Sequence, residues 1–369
     1  MQSQESSIWL AIPVLDPDTN LLKLLKNIRK LSNIPVILVN DGSSNPSSLQ
    51  ILEEAKNIPN IHYLQHAVNQ GKGRALKTAF NYYLNQNPQG VGVVTADGDG
   101  QHSPKDILTC AELLQKFPRD LVLGCRDFSK ELVPWKSKLG NQLTKGIFFL
   151  ATRIRFSDTQ TGLRGIPAYY QKALLTTYGE RFEFETLMLL RCSEFSVHLK
   201  ETAIETIYLN SNKATHFRPF HDSLAIYKLI FAYIYKQLLK FTVSSLLSAA
   251  LDLFLFWLFF KYIFSNKPGS LVASVCLARS CSLIFNYILN KSLVFQYQHE
   301  KTCLAIFSKS FNLYFLLCIF IMLCSYLLTK GGNLLFPDVN LVVLKALVDL
   351  FLFFTSYFIQ KQFIFFKKG

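Results

Sequence analysis

Acidic residues are scarce in the last third of this chain of 369 residues. Only 4 of its 25 Asp and Glu residues lie in 237–369, whereas 20 of its 32 Phe residues lie there. A soluble surface needs charged side chains, and a disordered chain would not contain so many aromatic rings. The composition therefore excludes a disordered chain and a single soluble globule. It divides the protein into two regions suited to different solvents.

Paired cysteine motifs and a leader segment are also missing. The eight Cys residues form no CxxC pair and adjoin no His cluster, which argues against a zinc site and a disulfide scaffold. The first residues, MQSQESSIWLAIPVLDP, lack the basic region and apolar stretch of a cleaved signal peptide. We therefore expect reduced thiols and a first region that stays in the cytosol.

The basic excess lies in both regions. There are 27 basic and 21 acidic residues before residue 237, and 12 and 4 after it. The second excess flanks apolar runs, so a basic membrane face explains it better than binding to nucleic acid. We expect membrane lipids, and no nucleic acid, among the partners.

Four apolar runs occupy about 242–264, 270–290, 306–328 and 341–360. Each is near the roughly 20 residues that a membrane-crossing helix needs. Lys residues flank these runs nine to three in favour of one side, which predicts a multi-pass protein of the cytoplasmic (inner) membrane with both termini and the first region cytoplasmic. We predict an amphipathic juxtamembrane helix over 223–240 and four transmembrane helices within 241–369.

Two of these runs end in similar segments, FNYILNKSLVF and SYFIQKQFIFF. The similarity predicts two helical hairpins in the same orientation, with chance resemblance between apolar segments as the alternative. Charge inside a membrane span is costly, so Asp252, Arg279, Lys345 and Asp349 should face one another or a polar path. A pairing of Asp252 with Arg279 is one such arrangement.

The first region alternates short apolar runs with amphipathic segments over residues 8–125. This βαβα rhythm predicts a mostly parallel sheet with helices on both faces, in a domain that we place at 1–222. A polar loop, SDTQTGLRG, and a strand pair around 197–208 should complete it. Ligands bind at the carboxyl ends of such strands, where NDGSS and DGDGQH follow two of the apolar runs.

The segment ADGDGQH places two carboxylates and an amide close together after a strand. Asp97, Asp99 and Gln101 offer hard oxygen ligands, which suit Mg²⁺ or Mn²⁺ better than zinc. Such an ion would neutralise a departing diphosphate. The alternative is a solvated Asx turn, which two Asp and two Gly can form unaided.

These motifs do not occur singly. IPVLDPDTN, VILVNDGSS, NQGKGRALK, ADGDGQH, LGCRDF and SDTQTGLRG follow one another as in a family 2 glycosyltransferase with a GT-A fold. The resemblance covers residues 8–222 and is greatest to dolichyl-phosphate mannose synthases and undecaprenyl-phosphate glycosyltransferases. Residues 237–369 resemble the GtrA-like four-helix membrane domain, whose proposed role is translocation of a lipid-linked sugar. The expected fold is therefore an α/β, Rossmann-like GT-A domain followed by an all-α transmembrane domain.

The resemblance implies roles for particular residues. The nucleotide-binding residues would be Pro13, Val14, Leu15, Asp16, Asp41, Lys72, Asp97 and Gly98. The metal ligands would be Asp97, Asp99 and Gln101, and the catalytic residues would be Asp97, Asp99, Arg126, Asp158 and Arg164. Gln160 could help to orient the sugar. Leu15, Asp16 and Asn40 depart from the family pattern, which leaves UDP or GDP open as the donor nucleotide.

The acceptor site rests on a basic, partly apolar segment, WKSKLGNQLTKGIFFLATRIR, which suits a helix on an anionic membrane surface. The candidates to hold an acceptor phosphate are Arg126, Lys136, Lys138, Asn141, His216 and Arg218; a core helix with a basic outer face is the alternative. A phosphate monoester is already ionised near neutral pH, with a second pKa of about 6, and needs no strong base.

Three functions compete for this sequence. The first is an inverting, metal-dependent hexosyltransferase that makes a lipid-linked monosaccharide for cell-envelope glycan modification. The second is a lipid-sugar translocase whose first region only binds nucleotide-sugar or lipid-sugar. The third, a processive polysaccharide synthase, is disfavoured because no QxxRW-like segment follows the acceptor region. The sugar, the polyprenol length and any homo-oligomer stay open.

Overall fold

The structure is a computed structural model. The residues it describes are 7–126, 145–146, 148–149, 151–152, 154–195, 197–205, 219–264, 270–295 and 308–365. The chain divides into two compact units, residues 1–231 and 232–368.

The first unit contains a sheet of seven strands within the described residues. They are β1 (Ile8–Val14), β2 (Val36–Asn40), β3 (Ile61–Gln65), β4 (Gly92–Thr95), β5 (Asp120–Arg126), β6 (Arg164–Pro167) and β7 (His198–Ile204). Their order across the sheet is β3-β2-β1-β4-β6-β5-β7. β6 is antiparallel to both its neighbours, and the other pairs are parallel.

Among the described residues, the helices of this unit with complete bounds number six. They are α1 (Thr19–Leu31), α2 (Pro46–Lys56), α3 (Lys72–Gln86), α4 (Pro104–Lys116), α5 (Ala168–Leu175) and α6 (Glu183–Arg191). Every residue of β2 is buried, as expected for a parallel strand covered on both faces. The predicted α/β architecture is confirmed, and the carboxyl ends of β1, β2 and β4 lie at one edge of the sheet.

Two details of the predicted α/β unit were wrong. The segment SDTQTGLRG was expected to be a loop, but its last two residues begin β6, whose Gly165 pairs with Val94 of β4. This four-residue strand contains Gly and Pro, which rarely lie inside strands, so no pattern marked it. The strand pair expected around 197–208 is a single described strand, β7, which pairs with β5; residues 206–208 lie outside the described residues.

The second unit is helical, and the described part of the chain has four helices long and apolar enough to cross a membrane. They are α7 (Pro219–Leu258), which belongs to this unit from residue 232 onward, α8 (Ser270–Leu289), α9 (Lys309–Leu335) and α10 (Leu341–Ile359). α7, α8 and α10 each continue into a short π-helix: Phe259–Ile263, Asn290–Val294 and Gln360–Ile364. The predicted four-helix membrane domain is confirmed.

The predicted juxtamembrane helix and the first predicted span form one continuous helix, α7. No Pro or Gly occurs between Pro219 and Pro268, so nothing in the sequence interrupts the helix. The amphipathic stretch is therefore the beginning of the first long helix and not a separate element.

The two similar segments in the membrane unit occupy equivalent positions. Tyr287 and Tyr357 are both fully buried, and each precedes a π-helix by three residues. Asn290 and Gln360, the first residues of these π-helices, share a hydrogen bond of 3.0 Å from Asn290 Nδ2 to Gln360 Oε1. The Phe295 and Phe365 rings stack with centroids 5.1 Å apart. The contacts between equivalent residues support an internal repeat.

The four charged residues that the sequence placed inside the spans are paired with one another. Arg279 Nε lies 3.5 Å from Asp252 Oδ2, which is the pairing the sequence suggested. Lys345 and Asp349 form a second pair, and Ser325 hydrogen-bonds to both of its members. Pairing lowers the cost of placing charge within a membrane span.

Candidate active site

A cleft of about 530 Å³ lies at the carboxyl ends of β1, β2 and β4. All eight residues predicted to bind nucleotide line it: Pro13, Val14, Leu15, Asp16, Asp41, Lys72, Asp97 and Gly98. Asp99 lines it too. The parallel strands explain this convergence, because their carboxyl ends meet at one edge of the sheet.

Asp16 connects two loops at the rim of this cleft. Its Oδ1 accepts hydrogen bonds of 2.9 Å from the backbone N–H groups of Ser44 and Asn45, and its own N–H donates to Ser43 Oγ. The backbone of Asp16 has φ +45°, a left-handed conformation that Asp tolerates better than most residues. Asp16 thus holds the loop after β1 against the loop after β2.

Asp41 is a buried residue of the cleft lining, and its carboxylate already has hydrogen-bond partners in the protein. Oδ1 lies 2.6 Å from His66 Nδ1 and accepts from Gln70 N–H at 3.0 Å, and Oδ2 accepts from Gly71 N–H at 2.7 Å. These bonds fix the residues immediately before Lys72. The arrangement favours a role for Asp41 in positioning that loop over direct recognition of a nucleobase.

The segment Gly71-Lys72-Gly73 packs closely against residues 180–184. A Cβ at Gly71, whose φ is +104°, would lie 2.5 Å from the Glu180 carbonyl oxygen. That carbonyl also accepts a hydrogen bond from Arg74 N–H at 2.9 Å. The glycines therefore allow two backbone segments to meet, and they place Lys72 as the first residue of α3 with its side chain at the cleft.

Lys72 bridges two carboxylates. Its Nζ lies 2.7 Å from Asp97 Oδ1 and 2.9 Å from Glu185 Oε2. Burial by itself would lower the pKa of Lys72, but the charges of these two carboxylates outweigh it and raise that pKa above its ordinary value. For Asp97, burial is likewise outweighed, mainly by Lys72, and the pKa lies well below its usual range. Lys72 and Asp97 are therefore both charged at neutral pH.

Asp97 and Asp99 have the chemistry of a site for a hard divalent cation. Burial, and then the negative charge of Asp97, raise the pKa of Asp99, so a cation would relieve their repulsion. A Cβ at Gly162 would lie 2.3 Å from Asp97 Oδ2, so only glycine leaves space for this carboxylate. Mg²⁺ is commonly held by one or two carboxylates plus phosphate oxygens and water, and these residues fit that pattern.

The described residues contain no group of three or more His, Cys, Asp or Glu side chains with the spacing of metal ligands. Protein ligands from the described acidic residues would therefore be Asp97 and Asp99. Gln101 donates its backbone N–H to Asp99 Oδ1 at 3.0 Å, so it supports that carboxylate. Ligation by the Gln101 side chain stays a prediction.

Arg126 and Asp158 form a two-point ion pair at the end of β5. Arg126 Nε donates to Asp158 Oδ2 at 2.7 Å, and Nη2 donates to Oδ1 at 3.1 Å. Burial would raise the pKa of Asp158, but the hydrogen bonds and charge of Arg126 lower it overall. Gln160 N–H also donates to Asp158 Oδ1. The pair orients the guanidinium of Arg126, whose predicted contact with phosphate stays a prediction.

Arg164 is almost completely buried, with 1% of its surface exposed, and it does not line the cleft. Its Nε donates to the Thr161 carbonyl and its Nη1 to the Glu185 carbonyl, each at 2.8 Å. This position favours support of the site from beneath over the predicted contact with sugar or phosphate.

Five predicted acceptor residues lie outside the described residues: Lys136, Lys138, Asn141, His216 and Arg218. Their assignment to an acceptor phosphate stays a prediction. The structure also adds residues that sequence reasoning missed. Glu185, Arg181 and Phe182 approach the cleft from the start of α6, and His102 Nε2 lies 3.7 Å from Asp97 Oδ2. The two carboxylates in RFEFETL were a signal, but nothing in the sequence told which one would face Lys72.

Comparison with known proteins identifies both regions of the chain. Residues 10–177 match the description "Glycosyl transferase family 2", and residues 240–365 match "GtrA/DPMS, transmembrane domain". The first match lies within the α/β unit, and the second lies within the helical unit.

Several curated proteins are similar to the first region. An N-acetylglucosaminyltransferase of Methanococcus voltae, named UDP-N-acetylglucosamine--dolichyl-phosphate N-acetylglucosaminyltransferase, is 26% identical over 56% of this chain and 88% of its own length. The undecaprenyl-phosphate 4-deoxy-4-formamido-L-arabinose transferase of Proteus mirabilis is 33% identical over 56% of this chain and 62% of its own length. An uncharacterized protein of Methanocaldococcus jannaschii is 26% identical over 63% and 94%.

Among solved structures, glucosyl-3-phosphoglycerate synthase from Mycobacterium tuberculosis, in complex with Mn²⁺, UDP and glucosyl-3-phosphoglycerate, is similar to this chain with a TM-score of 0.44. The identity is 14%, over 63% of this chain and 80% of that protein.

Proposed function

This chain belongs to glycosyl transferase family 2 and has a GtrA/DPMS transmembrane domain, and from that premise we propose that it transfers one sugar from a nucleotide-sugar to a polyprenyl phosphate. The observation that supports this most directly is the cleft in which Lys72, Asp97 and Asp99 converge at the carboxyl ends of parallel strands. Relatives named for dolichyl-phosphate and undecaprenyl-phosphate transfer support the acceptor class. The donor is a UDP- or GDP-linked sugar.

The proposed reaction is a single displacement. An oxygen of the acceptor phosphate attacks the anomeric carbon, the bond from that carbon to the diphosphate breaks, and the nucleoside diphosphate leaves with the electron pair. The configuration at the anomeric carbon inverts. Because the acceptor is already ionised near neutral pH, the protein has no proton to remove, and catalysis consists of positioning and charge stabilisation.

The described residues can perform both tasks. Lys72, held at the start of α3, offers an ammonium to the diphosphate, whose charge grows as the bond breaks. Asp97 and Asp99 would hold Mg²⁺ or Mn²⁺, which supplies further neutralisation of the leaving group when bound. Arg126, oriented by Asp158, is a candidate to meet the acceptor phosphate together with Lys136, Lys138, Asn141, His216 and Arg218.

The membrane unit explains how a water-soluble donor meets a lipid acceptor. Its four apolar helices would keep the α/β unit at the membrane surface, where a polyprenyl phosphate is confined. We place that unit and both termini on the cytoplasmic side, since basic residues are more numerous at that end of the spans. The membrane unit serves in this proposal as an anchor, and no observation favours translocation over transfer.

The test is transfer by the full chain in detergent or lipid nanodiscs. Protein is incubated with undecaprenyl phosphate, Mn²⁺ and a panel of radiolabelled UDP- and GDP-sugars, and the products are extracted into organic solvent. We expect one donor to give one lipid-linked monosaccharide, with the signal lost in EDTA and restored by added Mn²⁺. A polymeric product would support a polysaccharide synthase, and tight binding of lipid-linked sugar without transfer by any donor would support a translocase.

A further inference from the structure

The Lys72 ammonium has two anionic partners at similar distances, and only one of them belongs to the predicted metal site. Asp97 Oδ1 lies 2.7 Å from Nζ and Glu185 Oε2 lies 2.9 Å from it. The Glu185 side chain is only 13% exposed, compared with 32% for Asp97. Glu185 is therefore the better shielded of the two partners, and it lies further from the open side of the cleft.

Glu185 is held in place by its own helix and by a buried arginine. It lies in the first turn of α6, and its carbonyl accepts a hydrogen bond of 2.8 Å from Arg164 Nη1. Arg164 Nε bonds to the Thr161 carbonyl, and the next residue, Gly162, approaches Asp97 Oδ2 closely. Arg164 thus links the turn that carries Glu185 to the segment that contacts Asp97, which limits the separation of the two backbone segments that bear these carboxylates.

This separation matters once a divalent cation approaches Asp97. Like charges a few ångströms apart repel strongly in a partly buried site, so the cation and the Lys72 ammonium compete for the same carboxylate. Without a second anion, Lys72 would either block the cation or leave the cleft. The Glu185 carboxylate is already in contact with the ammonium, so it can hold the ammonium in the cleft when Asp97 binds the cation.

We propose that Glu185 is a positioning residue that retains the Lys72 ammonium in the cleft when Asp97 engages a divalent cation. This proposal rests on the proposed function, because it assumes that Asp97 and Asp99 hold Mg²⁺ or Mn²⁺ for a leaving diphosphate. Glu185 acts through Lys72 and touches neither the cation nor the sugar. It lets one cleft hold two positive centres for one diphosphate.

The first test measures Mn²⁺ binding to the full chain in detergent by the electron paramagnetic resonance signal of free Mn²⁺, without nucleotide. We expect Glu185→Gln to weaken Mn²⁺ binding about tenfold, within the range of coupling between contacting residues. Lys72→Met should strengthen Mn²⁺ binding, because it removes the competing ammonium. Glu112→Gln, an equal change of charge on the exposed face of α4, should leave binding unchanged.

A double variant that combines Glu185→Gln with Lys72→Met distinguishes a positioning role of Glu185 from direct ligation of the metal. If Glu185 acts through Lys72, Glu185→Gln costs less Mn²⁺ affinity in the Lys72→Met background than in the unchanged protein. A loss that is equal or larger in that background would show that Glu185 is a metal ligand or a general source of negative charge, and would overturn the proposal. Unchanged Mn²⁺ affinity in the single variant would show a static ion pair between α3 and α6, which also overturns it.

A second ligand, pyrophosphate, and a second variant, Glu185→Asp, distinguish a specific effect on the site from misfolding. Glu185→Asp keeps the charge but shortens the side chain, so its Mn²⁺ affinity should lie between those of the unchanged protein and Glu185→Gln. Binding of pyrophosphate in the presence of Mn²⁺ should fall in Glu185→Gln and in Lys72→Met, and the losses should not add. Additive losses would contradict the proposal.

Failure of the proposed function would look different. An unchanged protein that binds no Mn²⁺ and transfers no sugar would overturn the metal assignment and the positioning role together. An unchanged protein that binds Mn²⁺ and makes lipid-linked sugar, with Glu185→Gln indistinguishable from it in Mn²⁺ affinity, would overturn only the role of Glu185.

Discussion

The two units of this protein place polar groups in their interiors in opposite ways. In the α/β unit, charged side chains gather at one open cleft, where Lys72 lies between Asp97 and Glu185. In the membrane unit, the polar side chains buried around Asn290 are neutral and bond to one another. Asn290 accepts from Ser244 Oγ at 2.8 Å and donates to Gln360 Oε1 at 3.0 Å.

The difference follows from the surroundings of each unit. A cleft open to water can keep charges that await a ligand, because water solvates them until the ligand arrives. A membrane span has no such solvent, so its polar groups need protein partners. Charge concentrated at an open cleft therefore indicates binding and catalysis, whereas neutral hydrogen bonds between helices indicate packing.

The largest expected effect comes from neutralising a charged residue in the cleft of the α/β unit. Asp97→Asn or Asp99→Asn should lower sugar transfer by about 100- to 1000-fold, the range seen when one group that stabilises developing charge is removed. The measurement is incorporation of radiolabelled sugar into the organic phase, with thermal unfolding as the check on folding. A well-folded variant that retains full transfer would contradict the assignment of these residues. Glu112→Gln is the matched control.

The next effect concerns the charges that do lie in the membrane unit. Arg279→Gln leaves Asp252 without its cation in a span, and we expect a loss of about 2 to 3 kcal/mol in the free energy of unfolding. The double variant Arg279→Gln with Asp252→Asn should recover most of it. The measurement is denaturant unfolding in detergent micelles. No recovery in the double variant would contradict a packing pair and would direct attention to a polar path for lipid-linked sugar.

A smaller effect should come from the neutral network. Asn290→Leu removes bonds to Ser244, Asn286 and Gln360, and we expect a loss of about 2 kcal/mol in unfolding free energy, since each such bond in a membrane protein contributes about 0.6 kcal/mol and buried partners are left unpaired. Ser292→Leu, an exposed position in the same π-helix, is the control. Transfer by the remaining folded protein should change little, whereas a selective loss of transfer would show a direct catalytic role for this unit.

The smallest effect depends on pH. The folded-state pKa of Asp158 is lowered, so its pair with Arg126 contributes stability above the unfolded pKa of about 3.9 and loses it as the pH falls through the lower folded value. Asp158→Asn should therefore destabilise the protein by about 1 kcal/mol at neutral pH, and the difference should shrink below about pH 4. Thermal unfolding between pH 3 and 7 measures it; a difference that grows on acidification would contradict this linkage.

Much of the architecture could be predicted because it depends on patterns that are local in the chain. The alternation of apolar runs and amphipathic segments predicted the parallel sheet, since each buried strand needs apolar side chains on both faces. The lengths of the four apolar runs predicted the membrane helices. The short strand β6 was not predicted, because Gly165 and Pro167 are typical of a turn. Only its pairing with the neighbouring strands makes this segment a strand.

Some features of the candidate site could likewise be predicted from the sequence, and others depend on the tertiary structure. The sequence by itself determined that Asp97 and Asp99 follow a strand and that Lys72 lies close to a helix, because strand ends and amphipathic segments have local signatures. Only the tertiary structure decided that Glu185, 88 residues after Asp97 in the chain, shares the ammonium of Lys72, and that Arg164 lies beneath the cleft and not in it. The physical reason is that the partner of a charged group is chosen by packing between distant segments, here α3 against α6, and no spacing along the chain records that distance.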